Sequence, residues 1–123
     1  MSIPSYRDLR VRQESMALAE DIHRLTKTYP KGVAYGLTAQ LRRASVSVPA
    51  NIAEGYGREN TGSYIQFLRI ALGSLTELET RLLLSARVSL APAGDVKLLL
   101  LQAGGVGKML QPLIRSLVRG SKQ

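Results

Sequence analysis

The sequence has no cysteine, only one histidine, and few aromatic residues: one phenylalanine and five tyrosines. Without cysteine, disulfides and thiolate metal sites are excluded, which suits a reducing cytoplasm, the expected location. The single histidine, His23, has no second imidazole or thiol beside it, so a surface or core role fits it better than metal ligation or catalysis. Scarce aromatics leave few stacking platforms for single-stranded nucleic acid. Long apolar runs are missing as well. Leu98 to Leu101 is too short to span a bilayer, and Met1 to Leu9 holds no signal-type apolar stretch, so no membrane role is expected.

Acidic residues are also in short supply. Nine Asp and Glu stand against seventeen Lys and Arg, a formal charge of +8 and a pI near 10.3. Such an excess attracts polyanions by counterion release, so RNA or DNA is the candidate partner, with solubility charge as the plainer alternative. The basic residues are spread along the whole chain rather than gathered in one run.

Motifs for phosphate and cofactor chemistry fail on inspection. Around Gly104-Gly105-Val106-Gly107-Lys108-Met109 the first glycine of a phosphate-binding loop falls on Gln102, and Met109 stands where a magnesium-holding Ser or Thr is required. Gly55-Tyr56-Gly57-Arg58-Glu59-Asn60 lacks the last glycine of a dinucleotide fingerprint and follows no strand. Ser45, Ser47 and Ser74 have no histidine at a readable spacing, and neither Glu77 with Glu79 nor Glu54 with Glu59 shares a helical face for acid–base work. No enzyme, cofactor or metal is expected.

What is present is helical periodicity throughout one domain of 123 residues. The first helix is expected over 6–28, opened by Ser5 with Asp8 in a capping box and stopped by Tyr29-Pro30-Lys31-Gly32. Val11, Ser15, Leu18, Ile22, Leu25 and Tyr29 form its apolar face. A second helix is expected over 35–54. A third, over 61–88, is capped by Asn60 or Thr61 and carries a heptad-like seam of Tyr64, Leu68, Ala71, Leu75, Leu78 and Leu82. Glu77 and Arg81 are spaced to pair on its outside. The fourth, over 92–119, begins at Pro92 and carries Gly104, Gly105, Gly107 and Pro112, so it is expected to be bent or frayed. The economical fold is all-α: an antiparallel up-and-down four-helix bundle.

The second helix is the unusual one. Leu37, Leu41, Ala44, Val48 and Ile52 make one apolar side, and the pattern runs on through Pro49, whose cost of about 3 kcal/mol in a helix interior implies strong packing. Val46, Pro49, Ala50 and Ala53 form a second, small-residue side where another backbone could approach. Between the two lies a polar strip that includes Arg43, Asn51 and Glu54. Arg43 with Glu54 reads as an ion pair that fixes register, or as a functional site at a subunit junction. Gly55 is placed to close the helix in a left-handed conformation.

The run Gln40-Leu41-Arg42-Arg43-Ala44-Ser45-Val46-Ser47-Val48-Pro49-Ala50-Asn51-Ile52-Ala53-Glu54-Gly55-Tyr56-Gly57-Arg58 resembles the bacterial four-helix bundle family of 23S ribosomal RNA intervening-sequence proteins. Tyr64, Phe67-Leu68, Ile70-Ala71, the segment Gly73 to Thr80, Asp8-Leu9-Arg10-Val11 and Tyr29-Pro30-Lys31 extend that resemblance over nearly the whole chain. The family includes proteins similar to the accessory variability determinant of diversity-generating retroelements, which assists a reverse transcriptase. The resemblance implies an antiparallel four-helix subunit in a ring-shaped homopentamer, with basic members binding nucleic acid and a protein partner. Five copies of this chain would carry a formal +40, five times +8.

Two functions follow as expectations. One is a non-catalytic homo-oligomer that binds the backbone of RNA or DNA as an accessory factor, with Arg42, Arg43, Arg58, Arg69, Lys108, Arg115 and Arg119 as phosphate contacts and Val46, Pro49, Ala50 and Ala53 at the oligomer interface. The other is a scaffold that recruits an enzyme such as a reverse transcriptase without binding nucleic acid itself.

Overall fold

A computed structural model of the chain describes residues 6–32 and 34–121. Four helices follow in order: α1 (Tyr6–Thr26), α2 (Tyr35–Tyr56), α3 (Thr61–Arg87) and α4 (Ala93–Ser121), with no strand among the described residues. Each helix packs on its two neighbours in a closed cycle, α1 on α2 and α4, and α3 on α2 and α4. Contacts between the ends give the direction. Thr26 at the end of α1 meets Arg42 early in α2, while Arg12 near the start of α1 lies over Tyr56 at the end of α2. Gly55 at the end of α2 meets Phe67 and Tyr64 at the start of α3. Consecutive helices therefore run antiparallel, the arrangement short turns impose on a four-helix bundle.

The core is built from the faces that the periodicity marks. Val11, Leu18 and Ile22 of α1 meet Leu41, Val48 and Ile52 of α2. Leu68, Leu75, Leu78 and Leu82 of α3 meet Val96, Ala103, Val106 and Leu110 of α4. Each fully buried aliphatic side chain contributes roughly 1.5–3 kcal/mol of burial, and this offsets the unfavourable residues in α2 and α4. Ser15, expected on the same face, is buried with its hydroxyl turned onto the Arg12 carbonyl at 3.0 Å.

Helix ends carry most of the differences from expectation. Ser5 lies outside the described residues. α1 ends at Thr26, because Thr28 and Tyr29 turn their N–H groups back to Leu25 and Thr26 in tighter, three-residue bonds. α3 starts as expected: Asn60 caps it by accepting from the Ser63 N–H at 2.7 Å. It closes at Arg87 in a Schellman arrangement, the Leu90 N–H reaching the Ser85 carbonyl at 2.9 Å around Ser89, the non-glycine residue with positive φ, 61°. Glu77 and Arg81 pair at 2.9 Å.

Gly55 corrects the reading of the second helix. It is not left-handed, since no glycine among the described residues has positive φ, and α2 runs past it to Tyr56. Its missing side chain serves packing instead: a Cβ there would sit 2.6 Å from the Phe67 Cβ and 3.3 Å from the Tyr64 carbonyl oxygen. Pro49 lies inside α2, buried, without ending the helix. The fourth helix does not fray at its glycines or its proline. α4 is assigned as one uninterrupted helix through Gly104, Gly105, Gly107 and Pro112, with Ala103, Val106, Leu110, Leu113 and Ile114 buried along it. Burial on both sides of the weak residues exceeds their local cost.

Candidate functional site

Along the α1–α2 seam, Val46, Pro49, Ala50 and Ala53 line a groove of about 260 Å³ together with Arg12 and Met16. Pro49 is buried; Val46, Ala50 and Ala53 are exposed. Met16 and Val46 are 52% and 48% exposed, and Leu9, in the adjoining depression, is 43% exposed. Small residues on α2 keep this face low, so a single subunit presents an apolar strip to solvent.

The polar strip next to it ties α2 to α3. Asn51 donates to the Ser47 carbonyl at 2.8 Å and to the Ser47 hydroxyl at 2.9 Å, and that hydroxyl bonds Ser74 of α3 at 2.8 Å. Arg43 and Glu54 do not pair within the subunit. They stand eleven positions apart on one helix, about 16 Å along its axis, and Glu54 pairs with Arg58 at 2.7 Å.

The seven expected phosphate contacts are spread over α2, the turn after it, α3 and α4. Arg58 is held by Glu54 and lies 5.1 Å over the Phe67 ring. Arg43, Arg69, Arg115 and Arg119 are exposed on α2, α3 and α4. Arg42 and Lys108 enter separate clefts, each with cations that the sequence reading did not select. Lys108 joins Arg7 and Arg10 in a cleft of about 390 Å³ between α1 and α4. Arg42 joins Lys27 and Lys31 in one of about 680 Å³ at the α1–α2 turn, with Tyr29, Tyr35 and Thr38 in its wall. No acidic residue lines either cleft.

Arg42 is fixed there. Thr26, 2% exposed, donates its hydroxyl hydrogen to the Ile22 carbonyl at 2.8 Å and accepts from Arg42 Nε at the same distance. That bond uses one of five guanidinium N–H donors. The nearby Tyr29 hydroxyl is buried beside Ser85, with no group meeting it in hydrogen-bond geometry. Burial raises its pKa above the ordinary 10.0, and Ser85 partly opposes the rise.

A further polar centre, at the opposite end of the bundle, joins α1 to α3. The Tyr64 hydroxyl donates to Asp8 Oδ1, both residues being buried. Tyr56 packs edge-on against Tyr64 at 5.9 Å, and Arg12 lies 6.0 Å over the Tyr56 ring. Desolvation first, and the Asp8 carboxylate second, raise the Tyr64 pKa far above 10.0. In sequence Asp8 reads as the capping-box partner of Ser5, and nothing in the spacing marks a partner 56 residues on. His23 is half-buried, its Nδ1 3.0 Å from the Ala19 carbonyl. No group of three His, Asp or Glu side chains suited to a metal gathers among the described residues, and no helix among them is long and apolar enough to cross a membrane.

No curated protein matches the chain. A crystal structure of a protein of unknown function from the S23 ribosomal protein family of Bacteroides thetaiotaomicron is similar over 89% of this chain and 98% of its own, with a TM-score of 0.79. At 24% identity that likeness concerns the fold alone. The profile of the 23S rRNA-intervening sequence proteins matches residues 7–112, from the first turn of α1 to Pro112 in α4. The chain belongs to the 23S rRNA-intervening sequence protein family.

Proposed function

We propose that this protein is a non-catalytic, basic accessory factor of the cytoplasm that binds the phosphate backbone of RNA or DNA as a homo-oligomer, a ring-shaped pentamer as its family resemblance implies. The observation that carries this reading is the pair of acid-free cationic clefts on a chain of net charge +8. The ion pairs among the described residues engage Arg24 and Arg81 within α1 and α3, and Arg58 in the turn after α2 with Glu54, so the cleft cations are not spent on them. Assembly through the α1–α2 groove would cover its apolar strip and multiply the charge. Fluorescence anisotropy of the assembled protein with labelled RNA and DNA at about 50 mM salt, where counterion release favours binding, tests this. Saturable binding is expected, and its absence contradicts the proposal.

A second reading, a scaffold that recruits an enzyme such as a reverse transcriptase, is favoured by Leu98 and Leu101, 67% and 66% exposed on the outer side of α4. It requires salt-tolerant capture of one protein partner and little affinity for bare nucleic acid.

A further inference from the structure

The cleft at the α1–α2 turn differs from the one between α1 and α4 in one respect that bears on its ligand. Both collect three cations without an acid, but only the first includes an exposed aromatic residue, Tyr35, 76% exposed. An exposed tyrosine at the first position of a helix gains nothing from burial, and its ring face is open to a planar ligand. At about 680 Å³ the cleft falls within the roughly 300–1,000 Å³ of small-ligand sites. The first turn of α2 borders it through Tyr35 and Thr38. That helix start has no side-chain cap, because Ala34 offers no acceptor, and no acid in its first turn, so its positive end is not neutralised locally. Arg42, anchored through Nε on Thr26, is pre-positioned on the same wall.

We infer that this cleft is a site for single-stranded nucleic acid, in which Tyr35 stacks on one base while Lys27, Lys31 and Arg42 hold the adjoining phosphates. The inference rests on the functional reading above and makes it narrower. A duplex keeps its bases stacked on one another and has no free face for Tyr35, so the cleft distinguishes single strands from duplexes by stacking and not by charge.

The test uses oligouridylate and oligothymidylate of about twelve nucleotides, within the ~4–16 nucleotides of single-strand sites, and a duplex of equal length. Affinities are measured by anisotropy for the wild type, Tyr35→Ala, Tyr35→Phe, Arg42→Gln and Arg69→Gln, with helicity checked by circular dichroism. Tyr35→Ala should weaken single-strand binding by roughly five- to hundredfold, the usual worth of one stacked base, and leave duplex binding near wild type. Tyr35→Phe should retain it. Arg42→Gln should cost more than Arg69→Gln, which removes the same charge outside the cleft. If Tyr35→Ala binds single strands like the wild type, or if Arg42→Gln and Arg69→Gln lose equally, the cleft assignment is overturned while backbone binding stands. If the wild type binds neither strands nor duplex, the functional reading itself is overturned.

Discussion

Gly55 and Gly104 are helical glycines under opposite constraints. A Cβ at Gly55 would collide with the Phe67 Cβ and the Tyr64 carbonyl, so α2 and α3 would have to part. Gly55→Ala is expected to lower stability by about 1–3 kcal/mol, the usual cost of overpacking. Nothing lies within 4 Å of a Cβ at Gly104, so Gly104→Ala should raise stability by about 0.5–1 kcal/mol through helix propensity. Urea unfolding of the two variants checks the opposite signs, and equal signs would contradict this account of the α2–α3 contact. Tyr64 supplies a pH test. Its hydroxyl stays protonated in the fold well above 10.0, the value at which it ionises in the unfolded chain. Its contribution is therefore fully present below about pH 10 and is lost progressively as pH rises above it. Tyr64→Phe should cost about 1–3 kcal/mol at neutral pH, the worth of a buried hydrogen bond to a carboxylate, and should show a shallower loss of stability between pH 10 and 11.5. An unchanged alkaline slope would show that Tyr64 does not titrate differently in the two states. At this scale sequence told little. Spacing places Tyr64 on a buried seam and Gly55 near a helix end, but their partners, Asp8 and Phe67, come from other helices.

At the scale of the helices, periodicity was the sound guide. The apolar spacing of all four was legible, and Leu41, Val48 and Ile52 are buried as their positions require. Local rules failed where tertiary burial opposed them. Pro49 sits inside α2, as the apolar pattern running through it requires, whereas Pro112 sits inside a continuous α4 because the neighbouring positions are buried, and a rule based on one residue's propensity cannot weigh that burial. The second side of α2 is the part of the candidate site that sequence marked best, since Val46, Pro49, Ala50 and Ala53 line one groove. Its missing members, Arg12 and Met16, belong to α1 and could not be read from α2 alone. Val46→Glu or Ala50→Glu, both changes at exposed positions, should leave the subunit folded and break the oligomer. Light scattering should then give a multiple of the 13.4 kDa subunit for the wild type and the single-subunit mass for the variants. An oligomer that survives either change would mean that another face makes the assembly.

For the whole molecule, the net charge was legible and its distribution was not. Arg42, Lys27 and Lys31 meet because α1 turns back on itself into α2, and Arg7, Arg10 and Lys108 meet because the bundle closes α1 against α4. Cations scattered in sequence thereby become two clefts, while Arg43, Arg69, Arg115 and Arg119 are exposed and Arg58 is paired with Glu54. The central claim is that these clefts bind a polyanion by displacing its counterions. The most direct measurement is the affinity for a single-stranded oligonucleotide across a salt series. Single strands lose about 0.7 in log–log slope per neutralised phosphate, so three cations of one cleft predict a slope of about −2, steeper if neighbouring subunits engage the same strand. A slope near zero, or no binding at low salt, would contradict the account.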